Sequence, residues 1–364
     1  VRITRLDARL LRIPTARTIP LVGDAGRPAS LAVLLVRLET DDGPAGVGLS
    51  YTFGAGGRAL LALATDDLAP LLVGEDPLNH ERVIAKVRRQ LSGLGLVGVA
   101  AAASTAVDLA LWDLKGRAAG LPLFRLLGGA RESAPAFTSE GTGPDQSTAQ
   151  TMKALRPALD QGLMGALVRV SGDPERDAER LREVRAALGE DAWLGVDAAG
   201  RYDVATALVL GRFLQHELDI DWFEQPVPAD DLAGLRRLAA KLDVPVAAGA
   251  TFDSVEQFRL ALERRAVGVL RPDPVRLGGL TPTLKVIALA EAYHCPVAPV
   301  RLPEVAVHLA CGLPGVQAVE SVPWLSGLFS EPPAVEQGRL VPPARPGLGL
   351  ELDPKAVKRY EAKG

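Results

Sequence analysis

The sequence predicts an α/β protein, a (β/α) barrel preceded by a separate α+β unit, and two patterns carry that prediction. First, short β-branched runs recur at 134–138, 166–170, 193–197, 220–224, 244–248, 267–271, 296–300 and 316–320. From the second run onward their starts lie 20 to 29 residues apart, with amphipathic segments such as 177–187 and 232–241 between them. Eight strands alternating with helices at that pitch close a parallel barrel. An open doubly wound sheet would carry a Gly-rich phosphate turn after its first strand, and the chain has none. Second, the first 130 residues do not follow this rhythm. Residues 1–11 alternate loosely, 31–39 read as a strong strand, and Asp41-Asp42-Gly43-Pro44 turns the chain into 45–51 as a hairpin. From about 57 the pattern becomes helical. Its best segment, 100–115, is rich in strong helix formers and is expected to end at Gly116. The division expected is 1–130, 131–325 for the barrel, and 326–364 as a Pro- and Gly-rich segment returning to the first unit.

The 364 residues are 48% hydrophobic and 23% charged, with a formal net charge of −3 and no long run of either sign. That composition belongs to a globular protein and gives no electrostatic footprint for nucleic acid or a membrane surface. No apolar run reaches a membrane span and no signal-like segment opens the chain. Cys295 and Cys311 sit in apolar surroundings, which suits free buried thiols and a cytoplasmic location.

In a parallel barrel the chemistry sits at the C-terminal ends of the strands. Those ends carry Asp197, Glu224, Asp273 and Glu320, with Arg169 arriving from strand two and Arg301 following strand seven. Two or three carboxylates in a barrel mouth are what a hard, oxygen-seeking cation such as Mg²⁺ requires. The four histidines, His80, His216, His294 and His308, lie on or beside helical segments and are expected to pack or to face solvent. Trp324 and Phe329 follow strand eight, either as pocket walls or as loop anchors.

Residues 102–129 (AASTAVDLALWDLKGRAAGLPLFRLLGG) resemble the helix-and-linker signature of the mandelate racemase and muconate-lactonizing branch of the enolase superfamily. Segments 196–200, 222–226, 247–249, 276–279 and 346–353 fall in the family's order. The resemblance implies a modified (β/α)7β barrel with an α+β capping domain, whose loops, here near 15–30 and 50–57, set specificity. It also implies three acidic Mg²⁺ ligands and a lysine or histidine base that takes the α-proton of a bound carboxylate. Asp197 and Glu224 match the first two ligands, whereas Ala250 occupies the third position. Leu167 and Arg169 stand where the two strand-two lysines belong, and Val300 stands at the histidine. The candidate catalytic residues left are Arg169, Asp273, Arg301 and Glu320. Arginine cannot act as the base, because its guanidinium stays charged.

The expectation is therefore a divergent member unable to run Mg²⁺-assisted α-proton abstraction, with Mg²⁺ weak or absent, that binds a small carboxylate and assembles as a homo-oligomer. Asp197 and Glu224 form either a weak Mg²⁺ site or a buried ion cluster with Arg169. One alternative is an active racemase, epimerase or acid-sugar dehydratase with relocated acid–base groups. Another is a structural or regulatory oligomer.

Overall fold

The computed structural model describes residues 1–14 and 30–362. β1 (Ile3–Pro14), β2 (Ser30–Thr40) and β3 (Gly46–Thr52) form an antiparallel meander. Residues 31–36 of β2 are all buried, because helices cover one face of the sheet and chain segments approach the other. The helix Gly98–Ala119 lies across the sheet and joins it to the barrel. Its Asp113 accepts hydrogen bonds from Val47 N and from Leu348 N, both at 2.8 Å. Its Asp108 accepts from Thr281 N at 2.9 Å, with His80 Nε2 at 2.9 Å on the other oxygen. Each carboxylate thus ties the helix to another part of the chain, at a depth where an unpaired charge would be costly.

This helix does not stop at Gly116. It continues to Ala119, and Gly120 caps it in the left-handed conformation at φ 66°. Gly116 serves close approach instead: a β-carbon there would lie 2.6 Å from the Cα of Gly347. The C-terminal segment runs through that contact. β11 (Ala334–Glu336) and β12 (Arg339–Val341) form a hairpin whose second strand pairs with Ala134 and Pro135, and Leu123 N donates to Gly347 O at 2.7 Å. The helix Pro354–Tyr360 then packs beside β1.

The parallel strands are β4 (Ala134–Phe137), β5 (Gly165–Arg169), β6 (Trp193–Asp197), β7 (Trp222–Glu224), β8 (Val246–Ala248), β9 (Val269–Leu270) and β10 (Val319–Glu320). β5 to β9 form one continuous sheet, and a Thr138–Ala166 bridge joins it to β4. On the other side Val297 bridges to both Leu270 and Val316, and β10 pairs with β4, closing the ring. The strand expected at 296–300 is reduced to that pair of bridges. Pro296 and Pro299 flank Val297 and can donate nothing to a ladder. The runs at 267–271 and 316–320 are likewise shorter than their apolar lengths suggested.

Among the described residues no helix is long and apolar enough to cross a membrane. Cys311 is buried and Cys295 partly so, and both are free.

Gly116→Ala should lower stability by about 1–3 kcal/mol, the usual cost of forcing a methyl group into packed backbone. Chemical denaturation measures it. An unchanged midpoint would mean that the contact with Gly347 is not close.

Candidate functional site at the barrel mouth

Side chains along a strand alternate between its two faces, so residues two apart form successive layers inside a barrel. The lower layer is apolar: Phe137, Leu167, Trp222, Ala247, Val269, Ala298 and Ala318 pack together, joined by Trp193. Trp193 lies 4.5 Å from Phe137 and 4.6 Å from Trp222, ring centre to ring centre. Gly195 makes that possible, because a β-carbon there would sit 2.7–2.8 Å from both tryptophans and Leu167. Two residues further along each strand come Ser139, Arg169, Asp197, Glu224, Arg271, Val300 and Glu320. The mouth is therefore a polar ring on an aromatic floor.

Two arginines and three carboxylates lie in that ring, and Arg301 with its partner Asp273 adjoins it. Arg169 holds Asp197 with two hydrogen bonds, from Nε at 2.9 Å and Nη2 at 2.7 Å, and strand register places the two residues side by side. The other Asp197 oxygen accepts from Ala199 N at 2.8 Å. Arg271 is fully buried and bridges the barrel, donating to Glu224 at 3.0 Å, Glu320 at 2.8 Å and the Ala298 carbonyl at 2.8 Å. Its guanidinium carbon lies 4.9 Å from the Trp222 ring centre and 5.2 Å from that of Phe137. Arg301 donates to Asp273 at 2.7 Å, and Ser139 donates to the second Glu320 oxygen.

Sequence reasoning named Asp197, Glu224, Asp273 and Glu320 for one cavity. Asp197, Glu224 and Glu320 line it together with Arg169, Arg271, Arg301 and Ala250. Asp273 is not on its wall and sits behind Arg301, where it also accepts from Val275 N. The cavity holds about 20 Å³. Arg271 and Ser139 were missed as site residues, although counting by two from Val269 and Phe137 finds both. The expected cluster of Asp197 and Glu224 with Arg169 is half right. Arg169 takes Asp197, while Glu224 goes to Arg271. Trp324 is an anchor: it packs edge-on against Tyr51 and Phe53 and donates to Glu140 at 2.8 Å. Of the two loops expected to set specificity, the one at 15–30 lies outside the described residues except for Ser30.

The charges are unequal in state. Burial pushes the Glu224 carboxyl up to about 7, with Arg271 pulling it down and Asp197 and Glu320 pushing it up. Burial also acts to raise Glu320, but Arg271, Arg301 and the Ser139 hydroxyl outweigh it and hold that group below the usual carboxylate range. The backbone around the ring is strained. Ala199, Gln225, Arg301 and Leu302 all have φ between 42° and 57°, a left-handed conformation that costs a non-glycine residue roughly 1–2 kcal/mol. Asp219, Arg265, His294 and Gln337 adopt the same conformation away from the mouth.

Residues 7–128 match the model of the "mandelate racemase / muconate lactonizing enzyme, N-terminal domain", and residues 150–356 match "enolase C-terminal domain-like". The chain belongs to the mandelate racemase and muconate-lactonizing branch of the enolase superfamily. A relative, the L-talarate/galactarate dehydratase of Salmonella typhimurium, is 34% identical over 96% of this chain and 85% of its own. The 3,6-anhydro-α-L-galactonate cycloisomerase of Streptomyces coelicolor is 31% identical over 96% of this chain and 97% of its own. The crystal structure of L-talarate dehydratase from Polaromonas sp. JS666, complexed with Mg and L-glucarate, superposes with a TM-score of 0.91 at 33% identity. It covers all of this chain and 98% of that one. The family places a capping domain before a (β/α) barrel, and the polar ring of this chain lies at the C-terminal ends of the barrel strands.

The residues present do not fit a Mg²⁺ cage. Among the described residues no group of three or more His, Cys, Asp or Glu side chains is placed to hold a metal ion. Both oxygens of Asp197 are engaged, Glu224 is bonded to a guanidinium, and Ala250 brings no oxygen to the third position.

Glu224 also fixes a pH dependence. Its folded pKa, about 7, lies above the unfolded value of 4.5, so its contribution to stability is full below 4.5 and is lost as pH rises through 7. Wild type should therefore lose a few kcal/mol relative to Glu224→Gln between about pH 4.5 and 7.5. Parallel melting series on the two proteins check it, and a constant difference across that range would contradict it.

Proposed function

We propose that this chain is a carboxylate-binding member of its branch that works without a metal and does not carry out Mg²⁺-assisted α-proton abstraction. One observation carries the reading: Arg169 Nη1 is buried in the wall of the mouth cavity and has no hydrogen-bond partner among the described residues. An orphaned buried guanidinium N–H is costly until it meets an acceptor. A planar carboxylate is the acceptor that a guanidinium matches best. Arg301 lines the same space and adds a second positive centre. About 20 Å³ admits one water, so a ligand carboxylate would displace that water and push the surrounding side chains apart.

The positions from which relatives would deliver a base hold Leu167, Arg169 and Val300, and none of these accepts a proton near neutral pH. A positioned base contributes about 10²–10⁴-fold and metal polarisation several kcal/mol more. Without either, little of the superfamily's reaction remains. The guanidinium bonds of Asp197 and Glu224 also argue for Mg²⁺ binding that is weak or absent, in contrast to the Mg-bound neighbours.

Glu224 favours a second reading. A buried carboxyl with its pKa near 7 is poised to give or take a proton. It would serve an acid-sugar dehydratase, racemase or epimerase with relocated acid–base groups, in keeping with the dehydratases among the relatives. Glu320 and Asp273 are weaker candidates, since each is already bound to an arginine.

Two measurements on the same ligands separate the readings. Galactarate and glucarate should raise the melting temperature without added Mg²⁺, and Arg169→Met should abolish the rise. The same acids incubated in D₂O with Mg²⁺ should show no α-proton exchange by NMR. Exchange in wild type that disappears in Glu224→Gln would replace the lead reading with the second.

A further inference from the structure

A second cavity of about 250 Å³ lies outside the ring, behind β4 and β10. It shares a wall with the mouth: Thr138 and Ser321 face the cavity, while their chain neighbours Ser139 and Glu320 face the mouth. The opposite sides are largely hydrocarbon, with Pro157, Pro303, Pro333 and Leu340 among them. Two carboxyl residues, Glu304 and Glu140, also line it. Glu140 has one oxygen engaged by Trp324 Nε1. Glu304 is only 2% exposed, and among the described residues its Oε2 has no hydrogen-bond partner. None of the described residues lining the cavity is lysine, arginine or histidine.

A buried carboxylate without a cation or a donor is among the costlier features a fold can carry. Burial accordingly pushes Glu304 up to about 7, with only its own backbone N–H pulling the other way. The barrel mouth shows how this chain treats other carboxylates at similar depth, each of which meets an arginine. Glu304 lacks such a partner although it borders open space. The missing complement is a compact positive group with an apolar body. At 250 Å³ the space lies below the roughly 300–1,000 Å³ that takes drug-sized ligands.

We propose that this cavity is a binding site for a small aliphatic ammonium ion, with its charge on Glu304 and its hydrocarbon against the proline wall. The site is separate from the carboxylate-binding mouth, and its occupancy does not depend on what the mouth binds. Thr138, Ser321 and Gln161 also line the cavity, and the Thr138 hydroxyl already donates to Ser321 O at 2.9 Å and accepts from Glu140 N at 3.1 Å.

Calorimetric titration with n-butylammonium at about pH 8, where Glu304 is ionised, tests the proposal. The expected result is saturable binding that weakens at least about tenfold in Glu304→Gln, the loss of one charge-assisted contact. n-Butanol, of the same shape without the charge, should bind far more weakly. No saturable binding, equal binding to the variant, or equal binding of the alcohol would each overturn the proposal. Should the variant fail to fold, infrared spectra of Glu224→Gln near pH 6, in which the other carboxyl that titrates near 7 is removed, decide. Saturating butylammonium should abolish a protonated-carboxyl band, and a band unchanged by the amine would also overturn the proposal.

Discussion

The barrel mouth depends on Arg271. Its guanidinium lies on the Trp222 and Phe137 rings below and binds Glu224, Glu320 and the Ala298 carbonyl around it. Without it two carboxylates would face each other across a water-poor space, and one would have to stay protonated. With it Glu320 ionises fully and Glu224 titrates near neutrality. Breaking a buried pair by removing one partner typically costs about 3–5 kcal/mol, because the abandoned charge cannot be solvated. The stability of the ring therefore comes from mutual satisfaction, in which each group is tolerable because the others are present.

The same logic explains how this mouth departs from its relatives. Several of their structures hold Mg²⁺, among them a racemase from Streptomyces coelicolor A3(2) with bound magnesium. Here cationic charge comes from guanidinium groups fixed by the chain: Arg169 on Asp197, Arg271 on Glu224 and Glu320, Arg301 on Asp273. A guanidinium offers directional donors but neither accepts ligands nor lowers the pKa of a bound water as a dication does. The left-handed backbone at Ala199, Gln225, Arg301 and Leu302 keeps the strand ends aimed into the mouth despite its cost.

Much of the fold was legible because it is written in periods. The βα pitch gave the barrel, and the hairpin turn after Glu39 gave the capping sheet. Strand seven was not legible as two bridges, since its apolar run hides two prolines whose missing donors only matter in the ladder. Gly116 looked like a helix stop because a sequence does not say that another segment will press against it. At the site, Asp197, Glu224 and Arg301 could be placed from strand ends. Arg271 escaped because its partners are 47 and 49 residues away in the chain, so nothing local announces it. For the same reason the pairing pattern, Arg169 with Asp197 and Arg271 with Glu224, needed the closed barrel. The orphaned Arg169 Nη1 and Glu304 Oε2 are visible only once every neighbour is counted.

Mn²⁺ has the oxygen preference of Mg²⁺ and scatters anomalously, so crystals grown with Mn²⁺ and glucarate address the arginine-for-metal account most directly. The account predicts no anomalous peak between Asp197 and Glu224, with Arg169 and Arg271 still on their carboxylates and a glucarate carboxylate on Arg169. A strong peak at that position, with Arg169 swung away from Asp197, would contradict it.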